Sequence, residues 1–168
     1  EEQATADYFI KYVQEEIFKP QRISTNFTPE TNGTLFYPNP PNNANGTNYG
    51  DWALRPGPAG IQLSVEELAE FLFFLYNGDY VSKEMLVNME NLGLGLRRYN
   101  QPKDGPAYGH GGFFPASRKG GAELSSGIVT FDSGVQAVLV YNGKEDEVGN
   151  PAPRFLINAY NFSWVPQQ

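Results

Sequence analysis

The chain has 168 residues, is 40% hydrophobic and holds 24 aromatics, which excludes disorder for most of it and suits a single or partial domain over 1–168. A net charge of −7 argues against nucleic acid and anionic membranes as partners, and no apolar run approaches the roughly 18 residues of a membrane span. With no cysteine, disulfides and thiolate metal sites are excluded.

Residues 5–18 have the spacing of an amphipathic helix, with Tyr8, Phe9, Tyr12, Val13, Ile17 and Phe18 as its apolar stripe and Pro20 as its stop. From 24 to 60, prolines, glycines and asparagines interrupt any period and predict a long loop. Its aromatics, Tyr49 and Trp52 among them, suit a loop that packs over a site. Ser64-Val65-Glu66-Glu67 is a capping box opening a helix over 64–77, with Leu68, Phe71, Leu72 and Leu75 facing a core. Ser82 caps a second helix over 82–90. The period then switches to strands between 92 and 142: 92–99, 107–114, 125–131 and 135–141. Asp132-Ser133-Gly134 is a hairpin turn between the last two. Residues 151–163 predict a closing helix that buries Phe155, Leu156, Ala159, Tyr160 and Phe162. The order of elements implies an α+β class, an antiparallel sheet packed with helices.

Tyr108-Gly109-His110-Gly111-Gly112-Phe113-Phe114 holds the only histidine, set among glycines that would let a ligand or another backbone come close. By themselves these residues leave His110 open between a structural and a catalytic role. A serine triad would have to use it, yet no Gly-x-Ser-x-Gly elbow occurs. One histidine without cysteine does not supply the usual zinc ligands, and no phosphate loop is complete. No pair among the 19 acidic residues stands out for glycoside chemistry. No metal or cofactor is expected.

Asn-x-Ser/Thr sequons at Asn26, Asn32, Asn45 and Asn161 hint at a secreted or periplasmic setting, and an Asn-rich loop also produces them without meaning. The lack of cysteine leaves the cytoplasm open. The opening Glu1-Glu2-Gln3, with neither Met nor a leader-like segment, is expected to mark a processed or cloned piece.

Six segments, in order, resemble the C-terminal half of the serine hydrolases related to class C β-lactamases and penicillin-binding proteins. Tyr12 to Pro20 is similar to the helix end that follows the family's second motif. Gly57 to Ser64 resembles its Pro-x-Gly-Gly-x-x-Ser/Thr lead-in, and Glu66 to Leu72 its Asp-Leu-Ala-x-Phe continuation. Leu92-Gly93-Leu94-Gly95-Leu96 looks like the Tyr-Gly-Leu-Gly-Trp strand, Tyr108 to Gly112 like the Tyr-Gly-His-x-Gly motif, and Val138 to Gly143 like a strand ending in Asn.

The resemblance implies the C-terminal portion of a β-lactamase/transpeptidase-like fold, with a small-molecule or peptide-like carbonyl as substrate. His110 would support the substrate and the proton-shuttling groups. The Phe113 N–H would be one oxyanion-hole donor, and Gly111 and Gly112 would keep side chains away from the acyl group. Two departures are decisive for activity. Tyr8, Glu16, Tyr80, Asn100, Ala116 and Tyr141 stand three before the six lysines, so Ser-x-x-Lys is missing. Tyr37-Pro38-Asn39, the one Tyr-x-Asn, follows the segment it should precede. The reactive hydroxyl is therefore expected from an N-terminal half, as a second chain or as sequence upstream of Glu1, and this chain alone should be inactive. The alternative is a non-catalytic module of the same ancestry that binds peptidoglycan-like or carbohydrate ligands through Tyr49 and Trp52.

Overall fold

The computed structural model describes residues 1–27, 35, 37–38, 46, 54, 56–78, 80–114, 122–142 and 152–163. They fall into two compact units, one of residues 1–35 and 48–80, the other of 36–47 and 81–168. Helices and an antiparallel sheet make the chain α+β.

The first unit is helical. Helix α1 (Glu2–Tyr12) runs on into a π-helical turn, Val13–Phe18, and a 3-10 turn, Lys19–Gln21. Arg22, left-handed at φ 61°, ends the run. The expected stripe is corrected here: Tyr8 is 73% and Tyr12 52% exposed, and Phe9 is also exposed, while Ala6, Val13 and Phe18 are buried. Val13, Ile17 and Phe18 of the expected stripe do reach the core, joined by Ile10, and Ile10 and Ile17 are half-buried. The π-helical turn begins and ends on two of the buried residues, Val13 and Phe18.

Val13, Phe18, Ile23 and Phe27 form the centre of this core, with Ile61, Leu63, Phe71 and Phe74 packed on it. The Phe18 and Phe71 rings lie 5.7 Å apart. A bridge between Asn26 and Gln62 ties the two stretches of chain together. Within the expected loop, a short helix α2 (Pro56–Ala59) forms. Helix α3 (Val65–Asn77) begins at the foreseen capping box: Glu67 N–H donates to Ser64 Oγ at 3.1 Å, and Ser64 N–H donates to Glu67 Oε2 at 2.8 Å. Leu72 and Leu75 are its buried residues. The Tyr80 hydroxyl donates to the carbonyl of Ile17.

The second unit is built on the sheet. Helix α4 (Lys83–Leu92), capped by Ser82, ends at Gly93 with φ 68°. The expected strand 92–99 shrinks accordingly. Gly93 and Gly95 both sit at positive φ, 68° and 76°, which extended backbone does not allow, so only Arg97–Tyr99 remains as strand β2. Strand β3 (Ala107–Phe114) pairs on one side with β2 and on the other with β4 (Ala122–Phe131), which also pairs with β5 (Gln136–Tyr141). A two-residue strand, β1 (Tyr37–Pro38), pairs with the first residues of β4. All pairings are antiparallel.

The turn from β4 to β5 is a type I turn closed by a bulge: Gly134 N–H donates to Phe131 O, Phe131 N–H donates to Val135 O, and Gly134 takes φ 85°. Helix α5 (Ala152–Ser163) covers the face that carries Ala107, Val129 and Phe131, with Ile157 buried among them. Its N-terminus comes so close that a Cβ on Gly127 would stand 2.9 Å from Pro153 N. The expected stripe of α5 is corrected too. Ala152, Pro153 and Ile157 are buried, Leu156 and Tyr160 pack beside them, Ala159 is exposed, and Phe162 is 90% exposed. Five helical positions separate Phe162 from Ile157, a turn of about 140° away from the sheet.

Candidate functional site

Alternation along β3 sorts its residues between the two faces of the sheet. Ala107 and Gly109 are buried on the α5 side, and Gly111 and the half-buried Phe113 share that parity. Tyr108, His110 and Gly112 belong to the opposite face, where His110 and Gly112 are exposed. Backbone requires the glycine at 109, while at 112 a Cβ would displace only a serine hydroxyl. A Cβ on Gly109 would fall 2.1 Å from Ile128 O, and one on Gly112 would fall 2.7 Å from Ser126 Oγ. His110 lies level with Ile128 on β4, and Gly112 with Ser126.

His110 is held by its ring. Its Nδ1 lies 2.8 Å from the carbonyl oxygen of Gly95, in the turn between α4 and β2. The β2–β3 ladder reaches only from Arg97 opposite Gly109 to Tyr99 opposite Ala107. The chain therefore leaves the ladder at Leu96, level with His110, and Leu96 is itself 2% exposed.

Four sequence-derived site residues, His110, Gly111, Gly112 and Phe113, thus share one described strand. Tyr49 and Trp52 lie outside the described residues. Phe113 lies three positions along from His110, about 10 Å on an extended strand. One ligand atom does not reach both, so the imidazole and the Phe113 amide would serve different ends of a ligand. Sequence reasoning missed Gly95, Ser126 and Arg98, the last being the exposed cross-strand partner of Tyr108. The Arg98–Tyr108 pairing follows from register, which no local pattern in the sequence announces.

The groups with shifted ionisation lie elsewhere. Burial raises the Tyr99 hydroxyl above the ordinary tyrosine value, with Arg97 pulling the other way. Burial and then a hydrogen bond to Asp104 raise Tyr160. In the first unit, burial raises Tyr80. Two clefts also belong to the first unit, one of about 620 Å³ beside Ala6, Phe9 and Pro56, the other of about 450 Å³ beside Arg22, Phe73 and Phe74. No imidazole lines either cleft, so the face of His110 is the better candidate. Among the described residues no three His, Asp or Glu side chains come together to hold a metal, and no helix is long and apolar enough to cross a membrane.

Comparison with protein-family models, curated proteins and solved structures found no match.

Proposed function

We propose that this chain is the C-terminal portion of a serine hydrolase acting on ester, amide or β-lactam carbonyls through an acyl-enzyme, with β3 as the wall that receives the acyl group. The observation that carries the reading is an exposed, ring-anchored His110 on a glycine-lined strand, in place of an imidazole sealed in hydrocarbon. A carbonyl lying against β3 would meet the Phe113 N–H, a donor of the kind whose removal costs on the order of 3 kcal/mol of transition-state stabilisation. The hydroxyl nucleophile and its lysine come from outside these 168 residues, since no Ser-x-x-Lys occurs within them.

The chain by itself should therefore stay unlabelled by a fluorescent penicillin and by a fluorescent phosphonate. Co-expression with the polypeptide that supplies Ser-x-x-Lys should give labelling of that serine, reduced at least tenfold by His110→Ala, about 1.4 kcal/mol per factor of ten. Labelling of the isolated chain, or equal labelling with and without the imidazole, would overturn the proposal.

A further inference from the structure

We propose that Gly95 is a positioning residue for His110: its carbonyl fixes the imidazole as the Nδ1–H tautomer and leaves Nε2 as the open proton acceptor. The inference rests on the reading of β3 as the wall of an acyl-transfer site. It is carried by one contact and one departure from regular structure.

A backbone carbonyl has no proton to give. Across the 2.8 Å separation from Gly95 O, the ring nitrogen must be the donor. A neutral imidazole has a single N–H, so donation from Nδ1 leaves the lone pair on Nε2. That nitrogen can then accept a hydrogen bond or a proton from the groups that move protons at the site. A free histidine side chain favours the opposite form, with the hydrogen on Nε2. The Gly95 carbonyl thus reverses an intrinsic preference, as an acceptor fixed on one ring nitrogen does in other histidine sites.

The departure is where the chain leaves the sheet. Continued by one residue, the β2–β3 register would set Leu96 opposite His110. The strand stops short of that, and Gly95 just beyond turns at φ 76°. Its carbonyl is bonded to a side chain of β3 where a continued ladder would have bonded backbone. A Cβ on Gly95 would meet nothing within 4 Å. Packing does not demand glycine there; the left-handed backbone that carries the carbonyl does.

The test uses the full chain, uniformly labelled with nitrogen-15, and reads the two ring nitrogens of its only histidine by long-range proton–nitrogen correlation with the ring neutral. The expected spectrum has a pyrrole-like Nδ1 and a pyridine-like Nε2. Gly95→Ala, strained at positive φ without a clash, should lose that bias and move both nitrogens toward averaged positions. Gly134→Ala is the matched control, because Gly134 also has a positive φ, 85°, and open space around its Cβ. It should leave the ring signals unchanged.

A wild-type ring protonated on Nε2, or averaged between the two forms, overturns the proposal whether or not the variant folds. Retention of the bias in Gly95→Ala overturns it as well, and so does an equal loss in Gly134→Ala. The spectrum needs no substrate, so its outcome is separate from that of the labelling experiment. A fixed Nδ1–H ring in a protein that never acylates would sink the functional reading and leave the tautomer standing.

Discussion

Tyr160 joins three segments through one hydroxyl. It donates to Asp104 Oδ2 and lies 2.8 Å from Ser133 Oγ, while Asp104 Oδ2 also accepts from Ser133 N–H at 3.2 Å. A phenol has one proton, so with the carboxylate as its acceptor the serine hydroxyl becomes the donor to Tyr160. The ring itself stacks on Phe131 with centroids 3.8 Å apart. Tyr160→Phe keeps the stack and removes the hydrogen bonds, so we expect a loss of about 1–2 kcal/mol in urea unfolding near neutral pH. The alkaline limb gives a second check. Burial first, then Asp104, raises the hydroxyl above its ordinary value near 10. A raised value means the folded state favours the neutral phenol. That contribution is complete below pH 10 and is lost as pH rises through the folded value. Tyr160→Phe should therefore lose less stability than the wild type between pH 9 and 11. An equal slope in both proteins would refute the assignment.

Thr130 argues in the opposite direction. It is 9% exposed, and its Oγ1 has no partner among the described residues. A buried hydroxyl left unmatched costs about 1–3 kcal/mol, so Thr130→Val should be neutral or stabilising by up to about 1 kcal/mol in the same unfolding experiment. A loss of stability would show that the hydroxyl is satisfied after all.

At the scale of elements, the devices legible in the sequence are those whose chemistry is complete within four or five residues. The capping box at Ser64 needs only Ser64 and Glu67, and the turn at 131–135 needs only a glycine able to adopt φ 85°. Ser64→Ala should cost about 1 kcal/mol, measured as a lower urea midpoint together with weaker amide protection in the first turn of α3. What escaped the sequence depends on partners far along the chain. Leu92 to Leu96 alternates like a strand, yet its glycines serve a helix cap and a turn. The stripes of α1 and α5 are legible only in part: Val13, Ile17 and Phe18, and Leu156 and Tyr160, pack in their cores, while Tyr8, Phe9, Tyr12 and Phe162 face outward, because periodicity marks an apolar side without fixing where the core's edge falls. The strand bearing His110 was legible because a lone histidine among glycines is conspicuous. Its contact with Gly95 was not, since it spans 15 residues and arises from where β2 stops. Gly127 makes the same point sterically. A Cβ there would press on Pro153 N and Ala152 C at 2.9 and 3.0 Å, backbone atoms that yield only if α5 shifts. Gly127→Ala should cost about 1–3 kcal/mol and weaken the packing of Ile157.

Over the whole molecule, charge is divided unevenly between the two units. Residues 1–35 and 48–80 hold eleven acidic and four basic side chains, whereas 36–47 and 81–168 hold eight of each. The entire net charge of −7 therefore belongs to the helical unit. Like charges on a surface repel one another and weaken the compact state, and that repulsion is screened over about 10 Å at 0.1 M salt. The unit with the sheet has no net charge to oppose an anionic ligand, and Arg97 and Arg98 lie exposed on β2 beside β3. Salt should accordingly separate the two. Between 0.02 and 0.5 M sodium chloride, amide exchange in α3 should slow by an amount equivalent to up to about 1 kcal/mol, the range of exposed charge interactions. Amides of β3 and β4 should change far less, because their unit carries as many basic as acidic residues. Exchange that slows equally in both units would point to a general effect of salt on the protein and away from repulsion confined to the acidic helices.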